Sequence, residues 1–273
     1  MEPITLAFLV TLGAGLATGI GGFLAFSKYA LNNKFLAFML GLSAGVMIYV
    51  SLVEILQKAV LSLEAAFGDY SQGYLWATVG FFGGFIFIAV IDRLTDFYHN
   101  HDITETDLET AVTQEEETER KERKTMMRMG LFMALAIAIH NFPEGLATFI
   151  ATVEEPALGM ALAAAIAIHN IPEGIAVAIP IYRATGSKLK AFWYALLSGL
   201  AEPVGAVIGF FILSQFINDY VFGVIFAAVA GIMVYVSLDQ LLPTAKKHDT
   251  HLPIIGVFVG MIVMASSLVL FVV

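Results

Sequence analysis

Apolar residues run through this chain in eight long stretches, roughly 4–27, 36–57, 74–94, 127–151, 157–181, 190–215, 218–242 and 252–273, each about the 20 residues that carry a helix across a bilayer. Short polar segments separate them, except between the third and fourth, where residues 95–126 form an acidic linker read as flexible. The stretches are long and rich in Gly and Ala, so they predict close-packed membrane helices and not a barrel. The first has no basic region before it and is about twice the length of a signal-peptide core, so it reads as a retained span. The expected fold is a single transmembrane domain over residues 1–273, an all-α polytopic membrane protein with both termini on one side.

Composition agrees with the pattern. Hydrophobic residues make up 59% of the chain and charged ones 14%, against about a quarter charged in soluble proteins, and mean hydropathy is +0.83. All but Lys58 of the 14 Lys and Arg fall on the odd-numbered loops or their flanks; the positive-inside tendency makes those loops cytoplasmic and both termini extracytoplasmic. The net charge of −9 gathers between Asp102 and Glu122. That run reads as a solvated tether, or as a weak cation-attracting segment helped by His99 and His101. Nothing basic and aromatic enough for nucleic acid is present. The chain has no cysteine, so any bound metal must use nitrogen and oxygen ligands.

Repeats set the architecture. The stretch Ala136-Ile-Ala-Ile-His140-Asn-Phe-Pro-Glu144-Gly-Leu-Ala147 returns 29 residues later as Ala165-Ile-Ala-Ile-His169-Asn-Ile-Pro-Glu173-Gly-Ile-Ala176, with ten of twelve positions identical. Gly15-Leu16-Ala17 and Gly21 in the first span match Gly199-Leu200-Ala201 and Gly205 in the sixth, 184 residues on. Gly45, Met47 and Tyr49–Leu52 match Gly231, Met233 and Tyr235–Leu238, and Gly80 and Gly84 match Gly256 and Gly260. Each pair joins an odd to an even span, so the copies cross the membrane in opposite senses. An inverted repeat of this kind is a recurring plan of secondary transporters, with the substrate site near the midplane between the copies.

The duplicated motif carries the chemistry. On a helix, His140 lies one turn from Glu144 and His169 one turn from Glu173, with Asn141 and Asn170 beside the same carboxylates. Pro143 and Pro172 lack an amide hydrogen, so the carbonyls of Ile139 and Ile168 lose their helical partners and the axes bend. A carboxylate at the bilayer centre costs about 2.5–3.5 kcal/mol, and with nearly all Lys and Arg in loops the compensating charge must be a divalent metal or protons. Imidazole, amide and carboxylate donors together suit zinc and other first-row ions better than Ca²⁺ or Mg²⁺. Glu144 and Glu173 would bridge two adjacent metal positions, and Glu202, followed by Pro203, is a further candidate ligand. His140 could ligate, shuttle protons or only line the path. Glu54 is a candidate gate residue or a buried polar group, Asp239 a candidate path residue, and Asp92, Arg93 and Asp96 are read as interfacial anchors. A membrane zinc hydrolase would need a His-Glu-x-x-His spacing, which is absent; the chain does not read as an enzyme and calls for no catalytic cofactor. A metal-selective channel could use the same ligands.

The paired His-Asn-x-Pro-Glu-Gly motifs resemble the fourth and fifth transmembrane helices of the ZIP family of zinc and iron transporters, and Ser198-Gly-Leu-Ala-Glu202-Pro203 is most similar to the ZupT type found in bacterial inner membranes. The resemblance covers essentially the whole chain. It implies a 3+2+3 inverted-repeat arrangement of eight helices and uptake of Zn²⁺, with Fe²⁺, Mn²⁺, Co²⁺ or Cd²⁺ as further substrates. It also implies one metal site at Glu144, His169 and Glu173 and a second at Asn141, Glu144, Asn170, Glu173 and Glu202. The partners are divalent ions, the lipid bilayer and, permitted by the Gly-rich faces, a second copy in a homodimer. The linker after the third span lacks the long His-rich cluster of many eukaryotic members.

Overall fold

A computed structural model describes residues 3–29, 32–101, 114–154, 156–213 and 218–271. Eight helices are long and apolar enough to cross a membrane: α1 (Pro3–Gly22), α2 (Asn33–Phe67), α3 (Tyr70–Leu94), α4 (Thr118–Val153), α5 (Gly159–Thr185), α6 (Lys188–Phe211), α7 (Asp219–His248) and α8 (Leu252–Leu270). No strand occurs among the described residues. Helices are the form in which a chain in lipid satisfies its own backbone polar groups segment by segment.

The ends are set by local chemistry. Asn32 Oδ1 accepts from the backbone amides of Lys34 and Phe35 to start α2, and Asn218 Oδ1 accepts from Val221 to start α7, both as N-caps. Gly68 and Gly186, at φ 70° and 66°, take up the left-handed conformation that ends α2 and α5. α2 runs ten residues past its expected end at 57. The hydropathy pattern stops at Gln57-Lys58, whereas Leu56–Phe67 continues as helix until Gly68.

Helix also reaches into both ends of the acidic linker, as far as His101 and again from Gln114. The acidic linker expected over 95–126 is thus helical at both its ends. Residues 102–113, with most of the acidic run, lie outside the described residues, as do the side chains of 95–101 and 114–117.

The helices pack as two groups of four. α1, α4, α5 and α6 all pack on one another; in the other group α2 packs on α3, α7 and α8, and α3 on α7; the groups meet mainly where α5 passes α2 and α8 and where α4 passes α7. Close approaches repeat the sequence symmetry. Gly174 of α5 rests on the Thr18 carbonyl of α1 and Gly21 on that of Ile171; in the copy, Gly145 of α4 rests on the Glu202 carbonyl of α6 and Gly205 on that of Phe142. Gly15 and Gly199, counterparts of each other, lie against each other's carbonyls. In the second group Gly45 meets Val257, and its counterpart Gly231 meets Phe81. A Cβ at any of these positions would collide with backbone, which is why small residues occupy them.

Three spans change pitch. π-helical turns cover Ser51–Ile55 in α2, Val236–Leu241 in α7 and Gly209–Leu213 in α6. The first two fall at equivalent positions of the repeat.

Candidate metal centre

Pro143 and Pro172 lie inside α4 and α5, and Gly145 and Gly174 just beyond them let α6 and α1 come in to backbone contact. The duplicated polar residues thereby face the centre of the first four-helix group. His140, Asn141, His169, Asn170, Glu173 and Glu202 are all buried, each at 1% exposure or less. Glu144 is the exception, with 12% of its side chain exposed.

The two His and two Glu meet as crossed pairs. His169 Nε2 lies 3.3 Å from both carboxylate oxygens of Glu144. His140 Nε2 lies 3.0 Å from Glu173 Oε1, close enough for an ion pair but off the line of a hydrogen bond, so both atoms lack a hydrogen-bond partner. Because α4 and α5 run in opposite directions, the Glu144–His169 pair sits on the side of the chain termini and the His140–Glu173 pair one turn deeper.

The amides obey the same symmetry. Asn170 Nδ2 donates to the Ala14 carbonyl at 2.9 Å and Asn141 Nδ2 to the Ser198 carbonyl at 3.4 Å, and Ala14 and Ser198 are repeat counterparts. Asn170 also donates to Glu202 Oε1. Glu202's counterpart in α1 is Thr18, so one half of the site carries a carboxylate where the other has a hydroxyl.

The expected ligands are therefore brought together, but two at a time. Among the described residues, no three His, Asp or Glu side chains converge closely enough to hold a metal ion. What remains is a set of buried donors with no hydrogen-bond partner: both Glu173 oxygens, Glu202 Oε2, the Oδ1 atoms of Asn141 and Asn170, His140 Nε2, His169 Nδ1 and Thr18 Oγ1. Buried polar atoms are almost always paired, and so many orphans in one place are what a cation-binding locus presents.

Sequence reasoning missed several features. His140, expected as a ligand, a proton shuttle or a path residue, is paired with a Glu as closely as His169 is. Ser43 Oγ of α2 donates to the Pro172 carbonyl at 2.6 Å, tying the second helix group to α5. The expectation that Asp92 is an interfacial anchor is wrong: it is 3% exposed, accepts from Arg128 Nη2 of α4 at 3.0 Å and from Tyr235 Oη of α7 at 3.0 Å. An acid within an apolar span with an Arg at matching depth was the available signal. Arg93 is exposed as expected, and Asp96 lies outside the described side chains.

Comparison with known proteins completes the picture. The family model described as "ZIP Zinc transporter" matches residues 2–267. Proteins named zinc transporter ZupT are similar over nearly their whole length. That of Oceanobacillus iheyensis is 55% identical over 272 residues, 99% of each chain; that of Chlorobaculum parvum is 53% identical over 271 residues, again 99% of each. The Streptococcus mutans protein is 52% identical over 268 residues, 97% of each.

Proposed function

The chain belongs to the ZIP zinc transporter family, and within it we propose that it carries Zn²⁺ toward the cytoplasm between α4 and α5, using Glu144 and Glu173 as the shared ligands of a two-metal site. It is a multi-pass membrane transporter and not an enzyme. The observation that carries the site is the pair of crossed His–Glu contacts amid orphaned buried donors.

The spacing supports this reading quantitatively. Zinc sits about 2.0–2.2 Å from imidazole nitrogen and carboxylate oxygen in a tetrahedral shell, so two of its ligands lie roughly 3.3 Å apart by simple trigonometry. The two His–Glu separations are 3.3 and 3.0 Å. An ion can therefore enter between the members of each pair with little movement of either side chain. Each pair supplies two ligands, and the rest come from neighbours that turn in or from water. A site that never closes completely lets its ion leave, as transport requires.

One ion is held by Glu144, His169 and Glu173 with His140 joining as the ion moves inward; the second uses Asn141, Glu144, Asn170, Glu173 and Glu202. The carboxylate nearer the chain termini is partly exposed while the deeper pair is sealed, which favours a carrier that opens to one side at a time over a channel. The two four-helix groups are the natural moving parts. The same donors accept Fe²⁺, Mn²⁺, Co²⁺ and Cd²⁺. The distribution of Lys and Arg supports extracytoplasmic termini in a bacterial inner membrane. α3, with 17% of its apolar window buried within the chain, is the face on which a second copy would pack.

The test is Zn²⁺ flux into proteoliposomes containing a metal-sensitive dye. Wild type is expected to load them, and E144A/E173A protein that elutes as a folded species is expected not to. Undiminished flux in that variant would refute the site.

A further inference from the structure

We propose that Glu54 and Lys58 of α2 form a cation-recruiting position on the termini-bearing side of the central site, with the Lys58 ammonium standing in for the incoming divalent ion. The inference rests on the transport reading above. Glu54 lies in the π-helical turn Ser51–Ile55; such turns break the α-helical register and occur frequently at functional sites. Lys58 Nζ is 2.7 Å from Glu54 Oε1, with the carboxylate side chain 10% exposed and the lysine 35% exposed. The pair sits in a groove of about 310 Å³ between α2 and α8, walled by Tyr49, Leu61, Ala265 and Leu268. A carboxylate among such walls is costly, and an i,i+4 pair adds little to helix stability in return.

Two further observations give the pair a direction. α2 runs toward the side of the chain termini, the side on which the Glu144–His169 pair lies, so Glu54 and Lys58 stand toward the same face of the bundle as that pair. The repeat counterparts of Glu54 and Lys58 in α7 are Gln240 and Thr244, although α7 has the equivalent π turn. The equivalent turn of α7 carries Asp239, beside Gln240, but no lysine one turn on, so the fold does not need the Glu54–Lys58 ion pair; one mouth of the transporter has that pair and the other does not. A divalent ion competes with the ammonium for Glu54, and the long lysine stem lets the displaced charge swing out to water. Its departure removes positive charge from in front of Glu144 and eases the next exchange of ligands.

The experiment measures initial Zn²⁺ uptake into proteoliposomes against free Zn²⁺ for wild type, E54Q, K58Q and the double variant, each checked for folding by elution profile and thermal midpoint. E54Q leaves an uncompensated lysine at the mouth and is expected to raise KM roughly tenfold, the low end of what charge in a cleft does to local ion concentration. K58Q is expected to lower KM, and the double variant, which lacks both the recruiting carboxylate and the repelling ammonium, to fall between E54Q and wild type, with maximal rates within about twofold throughout. Both single variants break the same ion pair, so a bracing role would move KM and maximal rate in one direction for both; that result, or unchanged KM in all three, overturns the proposal. Should E54Q fail to fold, K58Q carries the test by itself, since a raised or unchanged KM contradicts recruitment. Wild-type uptake that E173A abolishes leaves the transport reading standing whatever these variants do. Absence of wild-type uptake would undo that reading and this inference with it.

Discussion

The two four-helix groups share one repeat plan and differ in what they bury. In α2, α3, α7 and α8 the contacts are mostly apolar and glycine-mediated, and among the described residues the fully buried polar side chains are single hydroxyls and Asp92, which Arg128 and Tyr235 satisfy. In α1, α4, α5 and α6 the centre holds His140, Asn141, His169, Asn170, Glu173 and Glu202, with many of their atoms unpartnered. The α2, α3, α7 and α8 group has its one buried carboxylate, Asp92, satisfied with the help of Arg128 from α4, whereas the α1, α4, α5 and α6 group gathers most of the unsatisfied buried polar atoms. A buried polar atom in a membrane bundle is costly, and the two groups differ in how many such atoms they leave without a partner.

The contrast can be broken most severely at the glycine contacts. Gly145→Leu would drive its side chain into the Glu202 backbone, separating α6 from α4, and should abolish Zn²⁺ uptake. Gly83→Leu, where a Cβ meets nothing within 4 Å, should leave uptake near wild type. Comparable losses from both would mean that the close approach does not set the site.

Asp92 and Arg128 separate bracing from transport. Arg128→Ala removes the countercharge of a buried carboxylate that keeps its Tyr235 hydrogen bond and should cost about 2–4 kcal/mol, while Asp92→Ala leaves an arginine that is 27% exposed and able to reach water, and should cost about 1–2 kcal/mol. Thermal midpoints in detergent should fall in that order. The reverse order would indicate that Asp92 is not the group needing a partner.

The unsatisfied centre should respond to protons. Its Glu and His donors must be deprotonated to bind metal, so uptake at fixed free Zn²⁺ should decline as external pH falls from neutral through the mildly acidic range. Equal rates at both ends of that range would argue against these ligands.

The smallest effect lies outside both groups. Asp249 Oδ1 accepts from the backbone amides of Leu252 and His251 at the start of α8, and these hold its carboxyl below the usual range. A depressed folded-state value means that the cap contributes fully above the ordinary aspartate range and is lost as pH falls through the folded value. Asp249→Ala should therefore lower the thermal midpoint slightly at pH 7, with the difference shrinking in strong acid. A difference that grew toward acid would contradict the assignment.

Much of this was legible in the chain. The eight spans follow from hydropathy because lipid demands it, and the duplicated His-Asn-x-Pro-Glu-Gly segments single out the proposed site because such residues are costly at that depth. The crossed pairing, His140 with Glu173 and His169 with Glu144, was not legible; it depends on how two bent helices lie against each other, which the spacing along one helix does not fix. Nor was the helix on either side of the acidic linker, since a hydropathy pattern ends at the first charges while helix propensity does not. Asp92 was misread because its partner Arg128 is 36 residues away, on a different helix.

The most direct test of the central claim is zinc K-edge X-ray absorption of the zinc-loaded protein in detergent, wild type against E144A/E173A, with bound zinc counted in each. The account predicts a wild-type shell containing imidazole nitrogen together with carboxylate oxygen, and loss of bound zinc from the folded double variant. An all-oxygen shell, or zinc retained at wild-type stoichiometry without the two carboxylates, would contradict it.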